Sequence, residues 1–97
     1  MNASLHRELW TSWASLLRSY AAMAGLNSVH HAVVEVGANE IILRVDTRWL
    51  RFTETEQQSS EGMQQGFALN EDGTVTLGGK IEEMDLTAER ITREMMQ

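Results

Sequence analysis

The chain has no cysteine and no proline. Without cysteine there can be no disulfide framework and no thiolate metal site, a composition that fits a reducing compartment. Without proline there is no Pro-rich linker to separate domains. Aromatic residues are few, three Trp, two Phe and one Tyr, and basic residues are outnumbered, eight Lys and Arg against fourteen Asp and Glu, for a net charge of −6. Long apolar runs are missing too: no stretch approaches the ~20 residues needed to span a bilayer. The small-x-small triplet Ala22-Met23-Ala24 resembles a signal-peptidase site, but Arg7, Glu8 and Arg18 interrupt the apolar core that a signal peptide requires. These absences predict a cytoplasmic protein with no membrane segment.

What is present suits one small domain. At 97 residues with 42% hydrophobic content the chain is globular in composition, and a chain of this size buries only about 60–65% of its unfolded surface. Charge is divided unevenly. Residues 1–53 carry five Arg against four acids, a net of +1, whereas residues 54–97 carry three basic residues against ten acids, a net of −7. An acidic half of this kind argues against nucleic acid as a partner, which demands several phosphate-neutralising charges on one face. It favours docking between complementary surfaces, within a chain or between copies.

Hydrophobic periodicity supplies the elements. In residues 4–24, Leu5, Leu9, Trp13, Leu16, Leu17, Tyr20 and Ala24 recur at steps of three and four, an amphipathic helix with Trp10 at the edge of its stripe. Asn2 or Ser4 can cap its start, and Gly25 stands where a left-handed C′ residue is expected. From Val29 the period falls to two: Ala32, Val34 and Val36 share one face, then Gly37–Asn39 turns the chain into Ile41, Leu43 and Val45. Beyond Val45 the alternation slips by one, since Leu50 and Phe52 occupy even positions. Either a bulge or a tight turn near Asp46–Arg48 resets it, and a turn fits slightly better. Residues 55–62 read as a polar loop. Met63, Gln65, Phe67 and Leu69 alternate, Asn70–Gly73 forms a type I turn, and Val75 and Leu77 return to Gly78–Gly79. Asp85 can cap a final helix that turns Ala88, Ile91 and Met95 inward, with Met84 just outside the cap.

The expected fold is α+β, a long N-terminal amphipathic helix packed on a 4–5-stranded antiparallel sheet with a short C-terminal helix. In order of elements it resembles cystatin-like folds, a helix followed by a curled antiparallel sheet, and bacterial secretion-chaperone folds, whose helices bracket a sheet. That resemblance of order carries no function.

Catalytic patterns are missing. There is no G-x-S-x-G elbow and no phosphate loop, since the Gly78-Gly79-Lys80 run continues to Ile81 and lacks the hydroxyl for magnesium. His30 and His31 point to opposite sides of a strand, and His31 and Glu35 stand roughly 13 Å apart along it, too far to share an ion. No metal or cofactor is expected, and the reading leans away from an enzyme. The densest cluster is Arg44 to Phe52, with three Arg, a Trp and a Phe. Its net charge of +2 from Arg44 to Arg51 is small for a single-strand groove. Trp and Arg are instead the types enriched where proteins meet.

Two functions follow from different classes. The first is a non-catalytic, acidic interaction or regulatory module, a homodimer through an exposed sheet face bearing Arg44, Arg48, Trp49 and Arg51. The second is a small-molecule-binding domain, with catalysis left open, whose pocket lies between the N-terminal helix and the sheet and is lined by Tyr20, His31, Arg44 and Trp49. The bland alternative to both is that Trp49 packs within its own chain and the arginines pair with nearby acids.

Overall fold

The computed structural model describes residues 2–97 and shows an α+β domain. Helix α1 (Ala3–Gly25) leads into seven strands: β1 (Ala32–Val36), β2 (Ile41–Val45), β3 (Arg48–Phe52), β4 (Glu56–Ser59), β5 (Gln64–Leu69), β6 (Thr74–Leu77) and β7 (Lys80–Glu83). Helix α2 (Met84–Met95) ends the chain. The strands form one antiparallel meander in chain order, every strand beside its sequence neighbour.

Seven strands replace the expected four or five, and two of the additions had concealed themselves chemically. Strand β4 lies in the supposed polar loop; its inward positions are Gln57 and Ser59, so a period of two exists without alternating hydropathy. Strand β7 is a short edge strand reached through Gly78 and Gly79, which both take positive φ (58° and 85°). Paired positive φ at a two-residue loop is the hairpin geometry that matches strand twist. Those glycines therefore join two strands where the sequence reading ended one. At Asp46–Thr47 the tight turn prevails over the bulge: Val45 faces Arg48 across it, and Asp46 adopts φ 55°.

Helix α1 starts where Asn2 accepts a 2.7 Å hydrogen bond from the Leu5 amide, satisfying one of the orphan donors of the first turn. Gly25 is the last helical residue and Leu26, in the right-handed region, closes the helix, so no left-handed glycine ends it. The buried stripe is Trp10, Trp13, Ala14, Leu17 and Ala21, with Leu9, Leu16 and Tyr20 flanking it. It is rotated toward Trp10 relative to the hydropathy pattern, because small Ala14 and Ala21 permit close approach. Trp10 also donates from Nε1 to the Gly37 carbonyl at 3.1 Å, tying the helix to the β1–β2 loop.

Register puts Ile41, Leu43 and Val45 of β2, Leu50 and Phe52 of β3, Phe67 and Leu69 of β5, and Val75 and Leu77 of β6 on the helix-facing side, all buried. Trp13 stands at the centre, its ring 5.3 Å edge-on from Phe52 and 5.4 Å from Phe67, with the two phenylalanines 5.1 Å apart. Such offset arrangements add about 0.5–1.5 kcal/mol per pair beyond burial. Helix α2 closes the same face, burying Met84, Ala88 and Ile91. Its N-cap position is Glu83, without a side-chain cap; Asp85 sits inside the first turn, where it accepts from the Tyr20 hydroxyl of α1. A carboxylate there also suits the positive end of the helix dipole.

Candidate functional site

Both helices cover one side of the sheet, and among the described residues no element lies over the other side of β1–β5. Two rows of residues cross it by register. Val33, Arg44 and Trp49 make the first; Glu35, Ile42, Arg51, Gln58 and Gln64 make the second. Val33 is 48% exposed, while Ile42 and Trp49 are half-buried among their neighbours.

Side-chain hydrogen bonds hold these rows in place. Arg44 donates from Nε to Glu35 at 3.0 Å, and this carboxylate partner raises the guanidinium pKa above its ordinary value. Arg51 donates to Glu40 at 2.5 Å and to Gln58 at 3.0 Å. Gln58 donates onward to Glu56 at 3.1 Å, and Gln64 reaches the other oxygen of Glu56 at 2.6 Å. A continuous chain from Glu40, just ahead of β2, to Gln64 therefore crosses three strands, β3 to β5. Each solvent-facing ion pair is worth only about 0–1 kcal/mol. Their geometric effect is larger, since long side chains that would otherwise sample many rotamers are ordered before anything binds.

Three of the four expected interface residues, Arg44, Trp49 and Arg51, lie on this face. Arg48 does not. It pairs with Val45 on the helix side, and its guanidinium donates to the Met95 carbonyl at 2.5 Å and the Gln97 carbonyl at 3.3 Å. There it neutralises orphan carbonyls at the negative end of α2. Nothing in its residue type separates it from Arg44; the two-residue turn at Asp46 decides its side.

The four expected pocket residues are not brought together. Tyr20 borders a groove of about 460 Å³ between the helices, with Met23, Thr92 and Met96, and its hydroxyl is held up in pKa by the bond to Asp85. Arg44 lies across the sheet from it. His31 is exposed ahead of β1, where its backbone amide meets Asp46 at 3.4 Å. The histidine that is engaged is His30, whose Nδ1 lies 2.6 Å from Asp46. That contact, followed by the His31 amide, lowers the Asp46 pKa.

Space beneath α1 is filled by the Trp13, Phe52 and Phe67 cluster. A hollow of about 390 Å³ opens instead beneath α2, against β3, β4 and β5, with Trp49 at its border. A second, of about 620 Å³, runs beside the first turns of α1, where His6 and Trp10 stack at 6.0 Å. Among the described residues no three of His, Cys, Asp or Glu gather so as to hold a metal ion, and no helix is long and apolar enough to cross a membrane. No protein-family model, curated protein or solved structure matches the chain.

Proposed function

We propose that this protein is a non-catalytic interaction module that pairs with a second copy of itself through the outer face of β1–β4. The observation that carries this reading is an uncovered sheet face on which Trp49, Val33 and Ile42 sit among arginines already fixed by hydrogen bonds. Ordered Arg and Trp reduce the conformational cost of docking, and both are over-represented among residues that dominate binding energy. A second copy fits because the face presents both signs of charge. Arg44 and Arg51 are paired with Glu35 and Glu40 within the chain, so the face carries little net charge to repel a second copy of itself. Closed two-fold dimers are also the commonest homo-oligomers.

The mass in solution, followed by light scattering over a concentration series, tests this reading. The wild-type chain is expected at twice its 11.0 kDa. Trp49→Ala and Arg51→Glu are each expected to give monomers with an unchanged far-ultraviolet circular dichroism spectrum. A wild-type monomer at every concentration would overturn the reading, as would a dimer indifferent to both substitutions.

A further inference from the structure

The hollow beneath α2 differs in kind from the rest of the helix-facing side. Inward positions of β2, β3 and β6 within the sheet are apolar apart from Arg48, yet at β4 and β5 the chain places Gln57 opposite Gln65, with Ser59 opposite Leu50. Gln57 is only 2% exposed. Burying a carboxamide costs free energy unless its hydrogen bonds are met. This one is met in part: Gln65 donates from Nε2 to Gln57 Oε1 at 2.6 Å. With Oε1 engaged, the Gln57 amide hydrogens are left for an acceptor in the hollow that the residue lines.

Two neighbours complete a pattern. The Ser59 oxygen accepts from the amides of Glu61 at 3.2 Å and Met63 at 3.1 Å. A hydroxyl has two lone pairs and one hydrogen, so Ser59 keeps only its hydrogen to offer. Gln65, having donated from Nε2 to Gln57, keeps its Oε1 as an acceptor. The wall thus presents two donors, Gln57 and Ser59, beside one acceptor, Gln65.

Charge narrows the ligand. Arg48 and Arg90 both border the hollow, but the first is bound to the carbonyls ending α2 and the second to Glu82 at 2.6 Å. Glu61 and Glu94 also border it, which balances the two cations. The charged residues that border the hollow therefore sum to zero, which favours an uncharged ligand over a phosphate or carboxylate.

From this wall we infer that the hollow between α2 and β3–β5 binds a small uncharged molecule through an amide edge, a carbonyl beside an N–H. The carbonyl takes the Gln57 and Ser59 hydrogens, and the N–H meets Gln65 Oε1. The hollow's ~390 Å³ falls inside the roughly 300–1,000 Å³ range of small-molecule sites. The edge can belong to a cyclic amide such as a nucleobase or to an open primary carboxamide. The inference uses residues on the opposite side of the sheet from the proposed dimer face and stands whether or not that face pairs.

A titration of the full ¹⁵N-labelled chain with uracil and with benzamide, watching the side-chain amide signals of Gln57 and Gln65, tests it. Benzoate and N,N-dimethylbenzamide serve as controls lacking the neutral amide or its hydrogen. Uracil, benzamide or both are expected to move these signals saturably, and which one does so identifies the cyclic or the open edge. Each control is expected to bind at least tenfold more weakly. Gln57→Leu is expected to weaken binding at least tenfold with the amide spectrum otherwise preserved; Gln65→Met, at a less buried position, serves the same purpose if the first variant fails to fold. Absence of a saturable shift with either amide, equal binding of benzoate, or undiminished affinity in the folded variant would each overturn the inference.

Discussion

Phe52 is fully buried between Trp13 and Phe67, and truncating such a side chain removes its transfer energy and leaves a cavity. Phe52→Ala is expected to cost about 3–5 kcal/mol, a large part of the ~5–15 kcal/mol available to a domain, and urea denaturation would show it as a lowered midpoint. Glu82 makes a subtler contribution. Hydrogen bonding to Arg90, then to the Thr87 hydroxyl, holds its carboxyl below its ordinary value of 4.5. A carboxylate whose folded pKa lies below its unfolded one stabilises the native state above the unfolded value and loses that contribution as pH falls through the folded one. Stability measured from neutral pH into acid is therefore expected to fall more steeply for wild type than for Glu82→Gln, the two curves converging below pH 4.5. Individual residues were readable where type and burial agree, as for Trp13, Ala88 and Ile91. Gln57 could not be read as a buried strand residue, because hydropathy identifies an inward position only when it is apolar. Arg48 could not be told from Arg44 and Arg51, since its side depends on a backbone turn one residue away.

The elements show the same division. Both helices and the strands containing Ile41–Val45, Leu50–Phe52 and Phe67–Leu69 carry enough apolar periodicity to appear in the sequence. Strand β4 has none, and β7 exposes its one large apolar residue, Ile81, at 70%. The signal that could have found β7 was Gly78-Gly79, a pair suited to a two-residue hairpin loop. Gly78 supports this loop through its positive φ, and a Cβ there would meet the Gln65 side chain. Gly78→Ala is expected to destabilise by roughly 1–2 kcal/mol through backbone strain, since the Gln65 carboxamide can swing clear of the added carbon. Gly62→Ala meets no neighbour but starts from φ 89°, outside the left-handed range an L-residue tolerates, and should cost at least as much. Comparing the two thermal midpoints checks this order. Helix α1 was legible in extent but not in phase, because Leu5 and Ala24 satisfy the periodicity while packing less deeply than Ala14 and Ala21.

For the molecule as a whole, the predicted α+β class holds, while the number of strands and the layout of the surfaces needed three-dimensional register. The neutral N-terminal half and the acidic C-terminal half do not become two separate poles. Arg44 and Arg51 find their carboxylates at Glu35 and Glu40 within the same half, and Arg90 and Arg93 find theirs at Glu82 and Glu89 within the other. Because these pairs are solvent-facing, raising salt should leave monomer stability nearly unchanged. Any dimer held by cross-face charge should instead associate more slowly in high salt, as electrostatic steering is screened.

The meander has a kinetic corollary. Every strand contact is with the next strand along the chain, and individual hairpins close in about 1–10 μs. The contacts that span the full chain are those between α1 and α2, including the Tyr20 hydroxyl on Asp85, 65 positions away. Strand zipping can therefore run ahead while the helix clasp engages late, after the transition state. Interactions formed late change the rate of unfolding and leave the rate of folding nearly untouched. In stopped-flow mixing, Tyr20→Phe should accelerate unfolding with an unchanged refolding limb, which would make the two chain ends meeting across the domain a latch that governs how long the native state lasts.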